Sequence, residues 1–460
     1  MGAPWDIGYT RTSDGIDIAY ATYGDGPSDV VLIHGFTTHL DLIGDSPWHA
    51  YWTRRLGERF RVIQLDKRGT GLSDRTLGHG SIEDRMRDVL AVMDATHSSR
   101  ASIVGISEGG PIGLTFAATY PERVAKLVLY GTFARALWAP DYPMGVTPEV
   151  ADEFSAWLEV TWGTGEVMGT YFLNHAPDAA AAVHAMSKFE RNACTRQMAG
   201  EIMRQNLQID VRPLLAGIAV PTLVMHTLND PMVPVALGRY LADNILGAEY
   251  EEAEGDYHGT WATKEFAPLM ERALGFLCDD TIAPRHDGTE QPLRSVATIL
   301  FTDIVGSTDK AAAMGDEAWG KLLEQHNRQT AEATRRHGGT VVKTTGDGVL
   351  ALFDGPSRAI QAVHELRRDV GALGIQLRAG IHTGEIERTK DDVAGLGVHI
   401  AARVMALAGP DEVLASRTVR DLAAGSGIVF AERGAQVLRG IPGEWDIYAV
   451  TEERASPVPG

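Results

Sequence analysis

In the string Gly105-Ile106-Ser107-Glu108-Gly109 the serine has the spacing of a nucleophile rather than of an ordinary loop hydroxyl. A serine in a sharp turn from strand to helix holds strained backbone angles and has little lateral room, so only glycine fits two residues before and two after. The turn lifts the hydroxyl out of the sheet to where a base can reach it. That base is required, because a serine hydroxyl is a poor nucleophile alone, and the base in turn needs a carboxylate to hold its tautomer. Asp230, in Asn229-Asp230-Pro231, and His258, in Asp256-Tyr257-His258, each follow an apparent strand and are the candidates. Each has a plainer reading: Asp230 as a turn-former, with Asp256 a rival acid, and His258 as one of fifteen histidines.

A second set of residues points to phosphate chemistry. Asp303 ends an apolar strand in Leu300-Phe301-Thr302-Asp303-Ile304, and Asp347 sits in a hairpin turn, Thr344-Thr345-Gly346-Asp347-Gly348. If that strand lies beside the hairpin, both carboxylates meet over one end of the sheet. A pair of acids sharing two Mg²⁺ or Mn²⁺ ions is the usual arrangement for phosphoryl transfer, since the metals stabilise attacking and leaving oxygens together. Gly306, Ser307 and Thr308 open a helix whose free N–H groups suit a triphosphate. Arg378, in Leu377-Arg378-Ala379, reads either as a phosphate contact or as a sheet-surface charge.

Positioning these groups takes two separate folded units, which 460 residues allow. Up to about residue 278, short apolar strands alternate with amphipathic helices. Val30-Val31-Leu32-Ile33, Val62-Ile63-Gln64-Leu65, Ala101-Ser102-Ile103-Val104, Leu127-Val128-Leu129-Tyr130 and Thr222-Leu223-Val224-Met225 read as buried parallel strands. Helical patterns at 83–96, 109–120, 234–243 and 264–277 fill the slots between them, which predicts a doubly wound α/β sheet over 1–278. A helical stretch at about 132–212 predicts a cap over the site. Residues 279–294 have no period and read as a linker. Over 295–460 the order β-α-β-β-α-β predicts an α+β, ferredoxin-like (palm-type) sheet, with strands near 375–382 and 384–388 and a helix at 396–408.

Composition narrows the partners. With 44% apolar and 22% charged residues the chain is ordinary globular protein, and its net charge of −19 with scattered Lys and Arg speaks against a nucleic-acid partner. Cys194 and Cys278 have no metal or redox spacing and are expected to be buried or half-buried thiols in a reducing compartment. The first twenty residues hold no apolar leader, and no run of about 18 apolar residues predicts a membrane span. Cytoplasmic residence is the expectation.

The first unit resembles the α/β-hydrolase superfamily over about 15–278. In that family the chain order is Ser, acid, His, which Ser107, Asp230 and His258 obey. His34-Gly35-Phe36 resembles the loop that lends one oxyanion N–H, at Phe36, with the second from Glu108. Asp66-Lys67-Arg68-Gly69-Thr70-Gly71-Leu72-Ser73 looks like the loop after the next strand of the family. The resemblance implies a small ester or related acyl substrate. The second unit closely resembles the class III adenylyl and guanylyl cyclase domain over about 295–450. By that likeness Asp303 and Asp347, with Ile304, are the metal ligands, and Lys343 and Asp392 read the purine. Lys donating to N1 and a carboxylate accepting from the N6 amino group select adenine, hence ATP. The family's Asn and Arg on the following helix correspond to His399 and Arg403. His399 departs from the pattern, implying lower or pH-dependent turnover. The likeness also implies a homodimer with two shared sites. Two other readings stay open: a non-catalytic ligand sensor in the first half, or a cyclase half reduced to a dimerisation module on an esterase.

Overall fold

The computed structural model describes residues 6–43, 47–75, 80–172, 179–258, 266–279, 293–344, 346–388 and 392–451. The chain divides into two compact units, Met1–Thr289 and Glu290–Gly460. The expected linker at 279–294 lies almost wholly outside the described residues.

The first unit is an eight-stranded sheet in the order β1-β2-β4-β3-β5-β6-β7-β8. Its strands are β1 (Asp6–Arg11), β2 (Asp17–Tyr23), β3 (Asp29–Ile33), β4 (Arg61–Leu65), β5 (Ala101–Ile106), β6 (Val124–Tyr130), β7 (Thr222–Thr227) and β8 (Glu249–Ala253). From β4 to β8 all neighbours are parallel, and β5, β6 and β7 are buried almost throughout. Continuous apolar runs are what a strand covered on both faces requires. The antiparallel pair β1–β2, which joins β4 antiparallel at the edge, makes the sheet mixed and was not foreseen in the strand pattern. Strand order reverses around β3, which lies between β4 and β5. In open α/β sheets the carboxyl ends of the strands at such a reversal form the binding crevice. Between β6 and β7 the chain runs through helices Pro148–Thr161, Glu166–Phe172, Ala179–Ala193 and Arg196–Leu207. The bonds that Glu190 accepts tie this insertion together: Oε2 takes the N–H of Gly163 and Gly165 at 2.7 and 2.8 Å, and Oε1 that of Met168 at 3.0 Å.

The second unit is a sheet in the order β10-β11-β9-β12-β14-β16-β15, with β13 on β12. The strands are β9 (Leu293–Ile304), β10 (Thr340–Thr344), β11 (Val349–Phe353), β12 (Leu377–Arg388), β13 (Val393–Ala394), β14 (Val413–Ser416), β15 (Val429–Val437) and β16 (Glu444–Thr451). Four of them, in the order β10-β11-β9-β12, are the antiparallel core of a ferredoxin-like fold. Even-numbered β9 residues such as Leu300 pack towards Ile360 and Val363 of helix Pro356–Gly371, while Ala297 and Ile299 face the other layer with Ala401 of helix Leu396–Leu407. That is the period of two expected of a strand. The two strands expected at 375–382 and 384–388 are one, because β12 pairs with β9 in unbroken register from Leu377↔Ile304 to Arg388↔Leu293. A side chain at Gly380 would strike Met405 Cα at 2.5 Å, so this glycine lets helix Leu396–Leu407 lie directly on β12.

Cys194 is buried, as expected, but Cys278 is exposed at the end of helix Ala267–Cys278. Both are free thiols. No helix among the described residues is long and apolar enough to cross a membrane.

Candidate active sites

Ser107 stands at the junction of β5 and helix Gly109–Thr119 with φ of 52°, one of the positive-φ non-glycine residues of the chain. This is the left-handed region that costs a side-chain-bearing residue strain. The glycine spacing has a direct steric cause: a Cβ at Gly105 would lie 2.7 Å from Gly109 O, and one at Gly109 would collide with the carbonyl of Ile33. The strained turn is pinned by Ser107 N–H donating to Tyr130 O at 3.0 Å and by Thr132 Oγ1 donating to Ser107 O at 2.5 Å.

His258 Nδ1 lies 2.7 Å from Asp230 Oδ2. A carboxylate can only accept here, so Nδ1 carries the proton and Nε2 is left as the basic nitrogen. Asp230 is held from its other side, Oδ1 accepting from the N–H groups of Met232 and Val233 at 2.8 and 2.9 Å. Both side chains are nearly inaccessible. His258 pairs with Asp230, and the rival Asp256 is exposed. Gly131, the residue after β6, lies against this pair, and its neighbour Thr132 holds Ser107, so one loop touches both halves of the constellation.

A cavity of about 260 Å³ opens beside Ser107. Phe36, Ser107 and Glu108 line it from the sheet side, Val150 and Phe154 from helix Pro148–Thr161, and Met203 and Asn206 from helix Arg196–Leu207. Beside Ser107, its polar members Glu108 and Asn206 are already engaged. Glu108 Oε2 accepts from Lys67 Nζ at 2.8 Å and Oε1 from Arg85 Nη1 at 2.5 Å, while Arg85 also reaches Asn206 Oδ1 at 2.6 Å. Burial works to raise the Glu108 carboxyl, but the charges of Lys67 and Arg85 outweigh it and hold it below the usual range. Burial also pushes the Lys67 ammonium down, with Glu108 opposing. His34 is structural: its Nε2 pairs with Gln64 Oε1 at 3.1 Å and burial pushes its pKa down to about 4.

In the second unit β9 carries Thr302 opposite Val349 of β11, so Asp303 and the turn residue Asp347, two positions before Val349, occupy the same end of the sheet. Asp303 faces Arg378 across the β9–β12 ladder, and Arg378 donates to Asp303 Oδ2 through Nε at 2.8 Å and Nη2 at 2.5 Å. Of the two sequence readings of Arg378, neither anticipates that ion pair. Among the described residues no group of three or more His, Cys, Asp or Glu gathers as a metal cluster. Gly306, in the left-handed conformation, starts helix Ser307–Met314, with Thr308 exposed in its first turn.

Lys343 on β10 donates to both carboxylate oxygens of Asp392, just before β13. That bond is the first cause of the lowered Asp392 pKa. His399 and Arg403 lie one helical turn apart and exposed on helix Leu396–Leu407, and Arg403 Nε donates to Arg439 O at 3.1 Å.

The structure therefore joins Asp230 to His258, gathers Phe36, Ser107 and Glu108 around one cavity, and joins Lys343 to Asp392. Sequence reading missed Lys67, Arg85, Asn206 and Thr132 as members of the first site. Lys67 did lie in a recognised loop motif, but nothing in its spacing announced its partners.

The alpha/beta hydrolase fold model matches residues 30–261, and the adenylate and guanylate cyclase catalytic domain model matches residues 290–452. RutD of Variovorax paradoxus (strain S110), a protein named for carbamate hydrolysis, is 32% identical over 240 residues, which are 49% of this chain and 83% of that protein. The 3-oxoadipate enol-lactonase 2 of Acinetobacter baylyi is 25% identical over 265 residues, 54% of this chain and 89% of its own. Among solved structures the esterase EaEST from Exiguobacterium antarcticum, 23% identical, superposes with a TM-score of 0.52 over 60% of this chain and 99% of that one, a likeness of fold.

Proposed function

The chain belongs to the alpha/beta hydrolase fold family and carries an adenylate and guanylate cyclase catalytic domain, and on that premise we propose that it is a bifunctional enzyme: a Ser-His-Asp hydrolase of a small-molecule ester joined to an adenylate cyclase.

In the first unit Ser107 Oγ attacks the acyl carbon of the ester. His258 Nε2 takes the serine proton and returns it to the leaving alcohol, while Asp230 holds the ring and stabilises its charged form. The N–H groups of Phe36 and Glu108 receive the developing oxyanion. A water then releases the acyl group by the same route. The observation that carries this reading is the 2.7 Å contact of His258 Nδ1 with Asp230, behind a serine in a glycine-spaced elbow. Fluorophosphonate labelling of the full-length chain, lost in Ser107→Ala, is the test, and an unlabelled wild type refutes it.

In the second unit ATP is converted to cyclic AMP and pyrophosphate. Asp303 and Asp347, with the main chain at Ile304, would hold Mg²⁺ or Mn²⁺, and an oxygen-only donor set at one sheet end suits such hard ions. When bound, these ions stabilise charge on the attacking and leaving oxygens. Lys343 donates to adenine N1 and Asp392 accepts from the N6 amino group. Arg403 and His399 steady the ribose and the reacting phosphate, the N–H groups at Gly306, Ser307 and Thr308 take phosphate oxygens, and Arg378 orients Asp303. The working form is a homodimer in which the acids of one protomer meet Lys343, Asp392 and Arg403 of its partner. ATP as substrate and two free thiols fit residence in the cytoplasm. The complementary pair Lys343–Asp392 supports adenine. Metal-dependent cyclic AMP formation, absent in Asp347→Asn, is the expected result, and a wild type that prefers GTP overturns the purine assignment.

A further inference from the structure

One buried ammonium touches the peptide unit that carries one oxyanion donor and the side chain of the residue that supplies the other. Lys67 Nζ donates to His34 O at 3.3 Å, to Gly35 O at 2.5 Å and to Glu108 Oε2 at 2.8 Å. The Gly35 carbonyl and the Phe36 N–H belong to a single planar peptide unit, and in a trans peptide they point in opposite directions. Anchoring Gly35 O therefore aims the Phe36 N–H, and drawing electron density to that oxygen makes the N–H a stronger donor. This loop runs directly beside the nucleophile, since a Cβ at Gly35 would lie 2.8 Å from Ser107 Cβ. The remaining contact holds the side chain of Glu108, whose own N–H is the second donor.

Neutralising Glu108 does not by itself account for Lys67, because Arg85 already pairs with the other carboxylate oxygen at 2.5 Å. A second buried cation is costly unless its bonds matter to something else. Sheet order explains how it arrives there: Lys67 follows β4, the loop follows β3 and Glu108 follows β5, and β3 lies between the other two. We propose that Lys67 is a positioning residue of the oxyanion site, aligning and polarising the donor at Phe36 while fixing Glu108 beside it. The proposal rests on the hydrolase reading above.

The test compares Lys67→Met, Lys67→Gln and Arg85→Met in the full chain, using p-nitrophenyl butyrate as the probe ester. For each variant kcat, KM, the second-order rate of fluorophosphonate labelling and Tm are measured. Lys67→Met is expected to lower kcat and the labelling rate by about 10- to 100-fold, less than deletion of an oxyanion donor, with KM within about threefold. Lys67→Gln, which keeps an N–H for Gly35 O, recovers part of that loss. Arg85→Met removes the other cation on Glu108 without touching the Gly35 carbonyl, so its loss of kcat is expected to be smaller than that of Lys67→Met. Equal losses in Lys67→Met and Arg85→Met, or a Lys67→Met enzyme that labels like wild type, overturn the proposal. Should Lys67→Met fail to fold, Lys67→Gln bears the test, and wild-type kcat in that variant also overturns it. A wild-type chain that takes no label at Ser107 sinks the hydrolase reading instead, and this proposal with it.

Discussion

Lys343 and Asp392, 49 residues apart in the chain, meet in a two-point contact, one ammonium on both carboxylate oxygens at 2.7 and 2.9 Å. Both side chains are exposed, 43% and 54%. Exposed pairs contribute little to stability, so parting this one to receive a base would cost the fold little. A donor and an acceptor held side by side match the N1 and N6 positions of adenine and oppose those of guanine.

Reversing that polarity makes the first prediction. Lys343→Glu should lower the rate of cyclic AMP formation by more than about tenfold and raise the GTP-to-ATP rate ratio, with Tm unchanged. Parallel assays with both nucleotides and a thermal melt decide it. An unaltered preference for ATP counts against Lys343 as a purine reader.

Asp230→Asn should leave the fold intact while lowering kcat on p-nitrophenyl butyrate by about 10³- to 10⁴-fold, because an amide no longer holds the His258 tautomer. Steady-state kinetics with active-site titration measure it. Retention of more than about a tenth of wild-type kcat would assign the acid role elsewhere, Asp256 being the nearest candidate.

The buried ring of His34 predicts acid sensitivity. Its pKa is pushed down to about 4, first by burial and then by the Lys67 charge, against a free value of 6.5. Between those limits the unfolded chain binds a proton that the folded one does not, so stability is complete above pH 6.5 and declines as pH falls towards 4. The contribution at stake is about 3 kcal/mol. His34→Asn should flatten the acid limb of a Tm-against-pH curve, and parallel curves for the two proteins would refute the assignment.

Glu190 accepts three main-chain N–H groups and is itself fully buried. Glu190→Ala strands those donors and should destabilise the helical insertion by about 2–4 kcal/mol. Proteolysis of the full chain, read as early cleavage within 148–207 while β5 and β6 stay protected, would register the loss. An unchanged cleavage pattern would mean that water satisfies the donors.

Much of the architecture was legible because its causes are local. The strands at 30–33, 62–65, 101–104, 127–130 and 222–225 are short apolar runs, and all appear, each extended by one to three residues, in β3 to β7. The hairpin β1–β2 was not, since strands at an exposed edge alternate weakly and carry no apolar run. The break expected between the strands at 375–382 and 384–388 does not occur, because β12 stays in register on β9 through Thr383↔Thr298 and Gly384↔Ala297.

The candidate reactive groups were legible in the sequence: a serine whose flanking glycines are demanded by turn sterics, two acids at the end of a strand and in a hairpin turn, and His399 on the following helix. Their partners belong to the tertiary structure. That Asp303 lies against Arg378 follows from the register of β9 on β12, and that Lys67 reaches both Gly35 and Glu108 follows from β3 lying between β4 and β5. Periodicity and turn chemistry act over a few residues, whereas strand order and register are set by burial of the whole sheet. Contacts across 32, 41 and 75 positions could be decided only there.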